Sequence, residues 1–115
     1  IETQEVKMDD FYYPKDARAQ RARLIGLKKE EMESWSAFNG KVFQAGALPT
    51  KTKELIAVAA AHITRCPYCI AGHTRAARKA GASDEEIAEA ILVAVAMNAG
   101  ASLAHSNLAM KELEA

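Results

Sequence analysis

Residues 50–81 read TKTKELIAVAAAHITRCPYCIAGHTRAARKAG, and this stretch decides both the fold and the candidate site. Its many alanines, and the absence of a long apolar-polar alternation, favour helix over strand. Pro67 suits the first turn of a helix, where its missing N–H has no intrahelical partner. Gly81 suits the left-handed backbone beyond a helix C-terminus. The sequence therefore predicts helices over residues 51–63 and 67–79.

The residues before this stretch predict an irregular N-terminal arm at residues 1–14, followed by two helices. Asp16 is the expected cap of a basic helix that runs to about residue 28, and Thr50 is the expected cap of the helix over residues 51–63. The helix beginning near residue 30 carries an apolar stripe that is expected to face the core: Met32, Trp35, Phe38, Val42 and Phe43.

The residues after this stretch predict one more helical region. Ser83 and Glu86 form a capping-box pattern at its start. Residues 91–97, ILVAVAM, are apolar on every side, so a helix there needs neighbours around most of its circumference, and a subunit interface would supply them. Gly100 is expected to break or kink this helix. The fold class is therefore all-α, with a single helical domain over residues 15–115.

Composition excludes several function classes. At 115 residues the chain is large enough to bury a core without metal or disulfide staples. Lys plus Arg and Asp plus Glu number 15 each, so no net charge favours nucleic acid or an anionic membrane. The longest uninterrupted apolar run, residues 90–97, is too short to span a bilayer. We expect a cytoplasmic protein with neither a nucleic acid nor a membrane as partner.

The candidate site is built on the CPYC pair, Cys66 and Cys69, which are the two cysteines of the chain. In a reducing compartment such a pair is more often catalytic or metal-binding than structural. With Cys66 at the start of a helix, Cys69 and His73 project from roughly the same face. The helix N-terminus should lower the pKa of a thiol held there, and Arg65 could add to this effect. Whether Glu54 reaches His73 depends on helix packing.

Other interpretations of these residues stay open at this point. The cysteines could be buried and inert, or they could bind zinc together with His73 and either Glu54 or His62. The spacing lacks a second cysteine–histidine pair, which weakens the zinc interpretation. His62 fits a structural or supporting role, and His105 an interfacial one.

The spacing of Glu54, the CPYC pair and His73 resembles the signature of the AhpD-like alkylhydroperoxidases within the carboxymuconolactone decarboxylase family. The surrounding sequence LPTKTKELIAVAAAHITRCPYCIAGHTRAARKAGASDEEIAEAI is similar too, and the resemblance covers about residues 30–110. It implies an all-α helical bundle assembled as a homo-oligomer. A hexamer is expected for so short a chain, with a trimer as the alternative.

The resemblance also implies a role for each site residue. Cys69 matches the peroxidatic cysteine that becomes a sulfenic acid, and Cys66 matches the proton donor that then closes a disulfide with it. Glu54 and His73 match members of a proton relay. Tyr68 departs from the family's histidine at this position, and we interpret it as a wall of the substrate pocket. A redox-active Cys66–Cys69 disulfide would carry out the chemistry, and no separate cofactor or metal is expected.

The function so implied is an antioxidant oxidoreductase, a thiol-dependent peroxidase. Its partners would be a hydroperoxide substrate and a thiol reductant, which in the family can be a lipoyl-bearing protein. The alternatives are a general thiol–disulfide oxidoreductase and a non-enzymatic zinc-binding or redox-sensing protein. The decarboxylase chemistry that names the family does not call for a thiol pair, so the CPYC sequence argues against it.

Overall fold

The computed structural model describes residues 12–114, which form five α-helices. These are α1 (Ala17–Leu27), α2 (Lys29–Phe43), α3 (Thr50–Thr64), α4 (Pro67–Lys79) and α5 (Asp84–Glu112). No strand occurs between residues 12 and 114, so the all-α fold class is confirmed. Most of the predicted arm, including Phe11, lies outside the described residues. Two compact units divide the chain, one ending at Val42 and the other beginning at Phe43.

The first unit contains α1 and most of α2. Asp16 caps α1 as predicted, because its carboxylate accepts a hydrogen bond from the Ala19 N–H at 3.1 Å. The predicted core-facing stripe of α2 is wrong at Trp35, Phe38 and Val42, which are 47%, 68% and 43% exposed. The physical reason is that α1, ARAQRARLIGL, offers no continuous apolar face to cover the stripe. Its Arg21 guanidinium instead lies 5.4 Å from the centroid of the Trp35 ring.

The second unit is organised around α3, which packs against both α4 and α5. Its core is a small cluster of buried residues that come from α3, α4, the loop after α4 and α5, namely Val58, Ala77, Ala82 and Ile87. Val58 and Ala77 are completely buried. Small side chains at these contacts let the backbones of α3 and α4 approach closely, which brings their site residues together.

The start of α3 differs from the prediction. Pro49, not Thr50, occupies the N-cap position, and it makes no side-chain capping bond. Thr50 is the first helical residue, and its hydroxyl donates to the carbonyl of Phe43 at 3.2 Å. The expected threonine cap is therefore wrong, since the hydroxyl is used to tie the end of α2 to the start of α3.

The turn between α3 and α4 is short and contains Arg65 and Cys66. Arg65 has φ 58° and ψ 42°, the left-handed conformation, and its N–H bonds back to the Ala61 carbonyl. Among the described non-glycine residues it alone has a positive φ. Cys66 is the N-cap of α4, and Pro67 occupies the first turn as predicted. This turn fixes where the cysteine pair lies relative to α3.

The boundary between α4 and α5 follows the prediction closely. Helix α4 ends at Lys79, and Gly81 has φ 98°, a value that a side chain would strain. Ser83 and Glu86 form the predicted capping box. The Glu86 carboxylate also lies 2.7 Å from the Lys51 ammonium, so it links the first turns of α3 and α5.

Helix α5 runs without interruption from Asp84 to Glu112, so the predicted break at Gly100 is wrong. The all-round apolar segment of α5 is largely uncovered in one chain, with exposures of 62% at Leu92, 58% at Val93 and 62% at Met97. By length and apolar composition alone, α5 could also cross a membrane, a weak criterion that core helices of soluble proteins meet as well. The expected subunit interface on this helix stays a prediction.

Candidate active site

A buried carboxylate and a half-exposed imidazole form the first part of the site. Glu54 on α3 is 8% exposed, and its Oε2 lies 2.7 Å from Nδ1 of His73 on α4. The packing of α3 against α4 therefore brings Glu54 into contact with His73, which the sequence spacing alone could not establish. Because Nδ1 faces the carboxylate, the other ring nitrogen, Nε2, is the one left for proton exchange.

The cysteine pair forms the second part of the site. Cys66 and Cys69 are both half-buried, and no disulfide joins them in this structure. The backbone N–H of Cys69 donates to Sγ of Cys66 at 3.2 Å, a bond that caps the helix with sulfur. His73 follows Cys69 by one helical turn on α4, so the imidazole and both sulfurs share a helix face.

The hydrogen bonds around Cys66 favour its ionised form. A hydrogen bond from the Cys69 thiol is the largest cause that lowers the pKa of Cys66, and the backbone N–H groups of Cys69 and Tyr68 add to it. Partial burial raises the pKa but does not outweigh these donors. Arg65, expected to contribute, is not among the causes. The helix N-terminus acts here through hydrogen bonds from its own first-turn N–H groups.

Phe43 lies beside His73, although the sequence predicted a different environment for it. The Phe43 ring stacks on the His73 imidazole, with ring centroids 5.1 Å apart and an interplanar angle of 20°. The sequence placed Phe43 on a core stripe of α2, and nothing in its spacing connected it with a histidine 30 positions later. Only the tertiary fold makes this contact visible.

The remaining candidate residues lie outside this arrangement or at its edge. His62 uses Nδ1 to bond the Val58 carbonyl of its own helix at 2.7 Å, which fits the structural role expected for it. His105 bonds the Ala101 carbonyl at 3.0 Å and is exposed. Tyr68 is 50% exposed beside the cysteines. Within residues 12–114, no three His, Cys, Asp or Glu side chains are grouped to hold a metal ion, so the zinc interpretation has no support there.

Sequence comparison identifies the family. Residues 29–112 match the family model described as the carboxymuconolactone decarboxylase family. The chain belongs to the carboxymuconolactone decarboxylase family. Within this family, an 82-residue segment is 51% identical to "Uncharacterized protein 4 in cox locus" of Paracoccus denitrificans, covering 71% of this chain and 74% of the relative. A Cupriavidus necator protein is 33% identical over 92 residues, covering 77% of this chain and 81% of that protein.

Solved structures agree with the carboxymuconolactone decarboxylase family assignment. A family member from Legionella pneumophila, crystallised in its apo form, superposes with a TM-score of 0.69 at 37% identity, covering 87% of this chain and 89% of that one. A Methanobacterium thermoautotrophicum protein gives a TM-score of 0.70 at 32% identity, covering 74% of this chain and 96% of that one. The resemblance to the AhpD-like branch of the family is thereby confirmed.

Proposed function

We propose that this protein is a thiol-dependent peroxidase that reduces hydroperoxides by cycling Cys66 and Cys69 between dithiol and disulfide. The observation that carries the proposal is the position of Cys66 at the N-cap of α4, where its Sγ accepts the Cys69 N–H at 3.2 Å. Both sulfurs therefore belong to the first turn of α4, and a hydrogen bond from the Cys69 thiol, which lowers the pKa of Cys66, gives a proton a path between them. His73, on the same face of α4 and held by Glu54 from α3, supplies a second proton-transfer group.

The first step oxidises Cys69. The lowered pKa of Cys66 favours a reactive form in which Cys66 is a thiolate and Cys69 a thiol. Transfer of the thiol proton along the hydrogen bond gives a Cys69 thiolate and a Cys66 thiol. The Cys69 sulfur attacks the terminal peroxide oxygen, the O–O bond breaks, and Cys69 becomes a sulfenic acid. Cys66 gives its proton to the departing alkoxide, which leaves as an alcohol.

The second step closes the disulfide. Cys66, a thiolate again, attacks the sulfenic sulfur of Cys69, and the S–S bond forms as hydroxide leaves. Nε2 of the His73 imidazole, whose Nδ1 faces Glu54, relays a proton from solvent to that hydroxide, which leaves as water. One thiol, one thiolate, one hydroperoxide and one proton thus yield a disulfide, an alcohol and water.

The third step returns the enzyme to its reduced state. An external dithiol attacks Cys66, forms a mixed disulfide and then leaves as its own disulfide, restoring both protein thiols. We propose a lipoyl-type dithiol as the donor class, the protein as a homo-oligomer, and the cytoplasm as its location. In this scheme Cys66 is the thiolate before the reaction and the target of the reductant, whereas Cys69 is the sulfur that attacks the peroxide.

A general thiol–disulfide oxidoreductase is the second candidate function. The observation that favours it is the same lowered pKa of Cys66, because the N-terminal cysteine of such a pair is the one that attacks substrate disulfides. The two candidates differ in whether Cys69 ever carries a sulfenic acid.

Turnover and trapping experiments test the proposal. Cumene hydroperoxide is supplied with either dithiothreitol or dihydrolipoamide, and peroxide loss is followed. We expect Cys66→Ser to accumulate a sulfenic acid that a dimedone reagent traps, and Cys69→Ser to give no adduct. Adducts only in Cys69→Ser would reverse the assignment of the two cysteines. Reduction of a disulfide substrate without any peroxide consumption would favour the oxidoreductase instead.

A further inference from the structure

Phe43 lies against the catalytic imidazole although it comes from a different helix. Its ring is nearly parallel to that of His73, at 20°, with the centroids 5.1 Å apart. An aromatic face at this distance restricts rotation of the imidazole about its side-chain bonds. The contact leaves the ring edge accessible, where the nitrogens exchange protons.

The first turns of α3 fix the position of Phe43. The Thr50 hydroxyl donates to the Phe43 carbonyl at 3.2 Å, and the Lys53 ammonium donates to the Gln44 carbonyl at 2.6 Å. These two bonds satisfy carbonyls at the C-terminal end of α2, which would otherwise lack intrahelical partners. They hold the backbone of Phe43 to the same helix that carries Glu54.

Helix α3 therefore restrains the His73 ring in two ways, directly through Glu54 and indirectly through Phe43. Glu54 holds Nδ1 at the edge of the ring, at 2.7 Å, and Phe43 covers one face. The edge contact alone allows the ring to swing about the Nδ1–Oε2 line. The stacked face removes that freedom, so the two contacts together define where Nε2 points.

We infer that Phe43 is a positioning residue, which holds the His73 ring in the orientation that proton transfer at Nε2 requires, while Glu54 fixes the tautomer. Its effect on rate rests on the proposed peroxidase function, whereas its effect on the imidazole does not. Displacement of a proton-transfer group by even a small distance costs rate, because the reaction depends on the alignment of donor and acceptor.

NMR relaxation of the His73 ring in histidine-labelled protein tests the inference without an activity assay. We expect the wild-type ring to be rigid, and the ring in Phe43→Ala to be more mobile about the Nδ1–Oε2 line while the Glu54 contact at Nδ1 is kept. Phe43→Tyr keeps the flat ring and should restore the wild-type relaxation. Phe38→Ala, which removes an exposed phenyl ring of the same helix, is the matched control and should leave the relaxation unchanged.

Disulfide formation after addition of hydroperoxide provides the kinetic readout. We expect Phe43→Ala to slow it by roughly two- to tenfold, as loss of an aromatic contact predicts, with recovery in Phe43→Tyr. A His73 ring that is as rigid in Phe43→Ala as in wild type would overturn the inference. If Phe43→Ala does not fold, Phe43→Leu takes its place with the same expectation. A wild-type protein inert toward peroxide would refute the proposed function, while the NMR comparison would still decide the role of Phe43.

Discussion

The Glu54 carboxylate meets the His73 imidazole across the α3–α4 contact, with Oε2 2.7 Å from Nδ1. The two residues are 19 positions apart in sequence and come from different helices. Glu54 is 8% exposed, and this contact supplies a hydrogen bond to its buried carboxylate. The pair has the geometry of the proton relay that we propose, so its removal is expected to slow the redox reaction.

Replacing Glu54 with glutamine tests this unit. The amide keeps the volume and can still accept a hydrogen bond, but it carries no negative charge beside Nδ1 of His73. We expect peroxide-driven disulfide formation to slow by about ten- to a hundredfold, the lower range for loss of a general acid–base group. Stopped-flow measurement of the disulfide, with Glu86→Gln as the carboxylate control away from the site, gives the comparison. Equal rates in wild type and Glu54→Gln would exclude a proton relay through Glu54.

The ionisation of Cys66 leads to a second prediction. Hydrogen bonds from the Cys69 thiol and from first-turn N–H groups lower the pKa of Cys66. We expect the pH midpoint for iodoacetamide alkylation of Cys66 to be highest in Cys69→Ala, which loses the thiol donor, and intermediate in Cys69→Ser. A midpoint that is the same in Cys69→Ala and wild type would mean that the thiol bond does not stabilise the thiolate.

The left-handed backbone at Arg65 gives a third prediction, which concerns stability. A non-glycine residue in this conformation carries a strain of about 1 kcal/mol, which glycine avoids. We expect Arg65→Gly to raise the free energy of unfolding by up to about 1 kcal/mol, and Arg65→Ala, which retains Cβ, to leave it nearly unchanged. Urea denaturation measures both. Neither variant should move the alkylation midpoint of Cys66, because Arg65 does not contribute to its pKa shift.

Glu86 leads to a fourth prediction, on pH dependence. The hydrogen bond from Lys51 is the largest cause that holds the pKa of Glu86 below its ordinary value. The folded state therefore favours the carboxylate, and this adds stability above the unfolded-state pKa that is lost as pH falls through the lower folded-state pKa. We expect the Tm of Glu86→Gln to fall less steeply than that of wild type between about pH 5 and pH 2.

The control for this prediction is Glu89→Gln, an exposed carboxylate on the same helix. Its Tm should follow the wild-type pH dependence. Ser83→Ala separates the capping box from the ion pair, since it removes the serine cap at a cost of about 1 kcal/mol and leaves the Lys51 contact in place. Parallel pH curves for Glu86→Gln and wild type would show that the Lys51 contact adds no pH-dependent stability.

Local signals made much of the fold predictable. These signals depend only on neighbouring residues in the sequence. The structure contains all three as predicted: Pro67, Gly81 and the Ser83–Glu86 capping box. The cap at Thr50 was wrong because its hydroxyl bonds Phe43 seven positions earlier, a contact that local propensity does not encode. The break at Gly100 was wrong because a single glycine costs a helix little when its neighbours are good helix formers.

The candidate site divides in the same way. The common helix face of the cysteines and His73 follows from spacing along α4, so it could be predicted from the sequence. The Glu54 contact and the Phe43 stack depend on how α3 packs and on how α2 ends, which only the tertiary structure supplies. The α2 stripe shows what a periodic pattern leaves out. Periodicity placed the apolar residues Trp35 and Phe38 on one face of α2, but it could not identify which residues, if any, would pack against that face.

Counting free thiols before and after one equivalent of cumene hydroperoxide decides whether Cys66 and Cys69 form a working redox pair. Mass spectrometry of the alkylated protein gives the count. We predict the loss of both thiols, a Cys66–Cys69 disulfide within one chain, and full recovery of both thiols with dihydrolipoamide. Two thiols still free after the peroxide has been added and incubated would contradict the proposed chemistry.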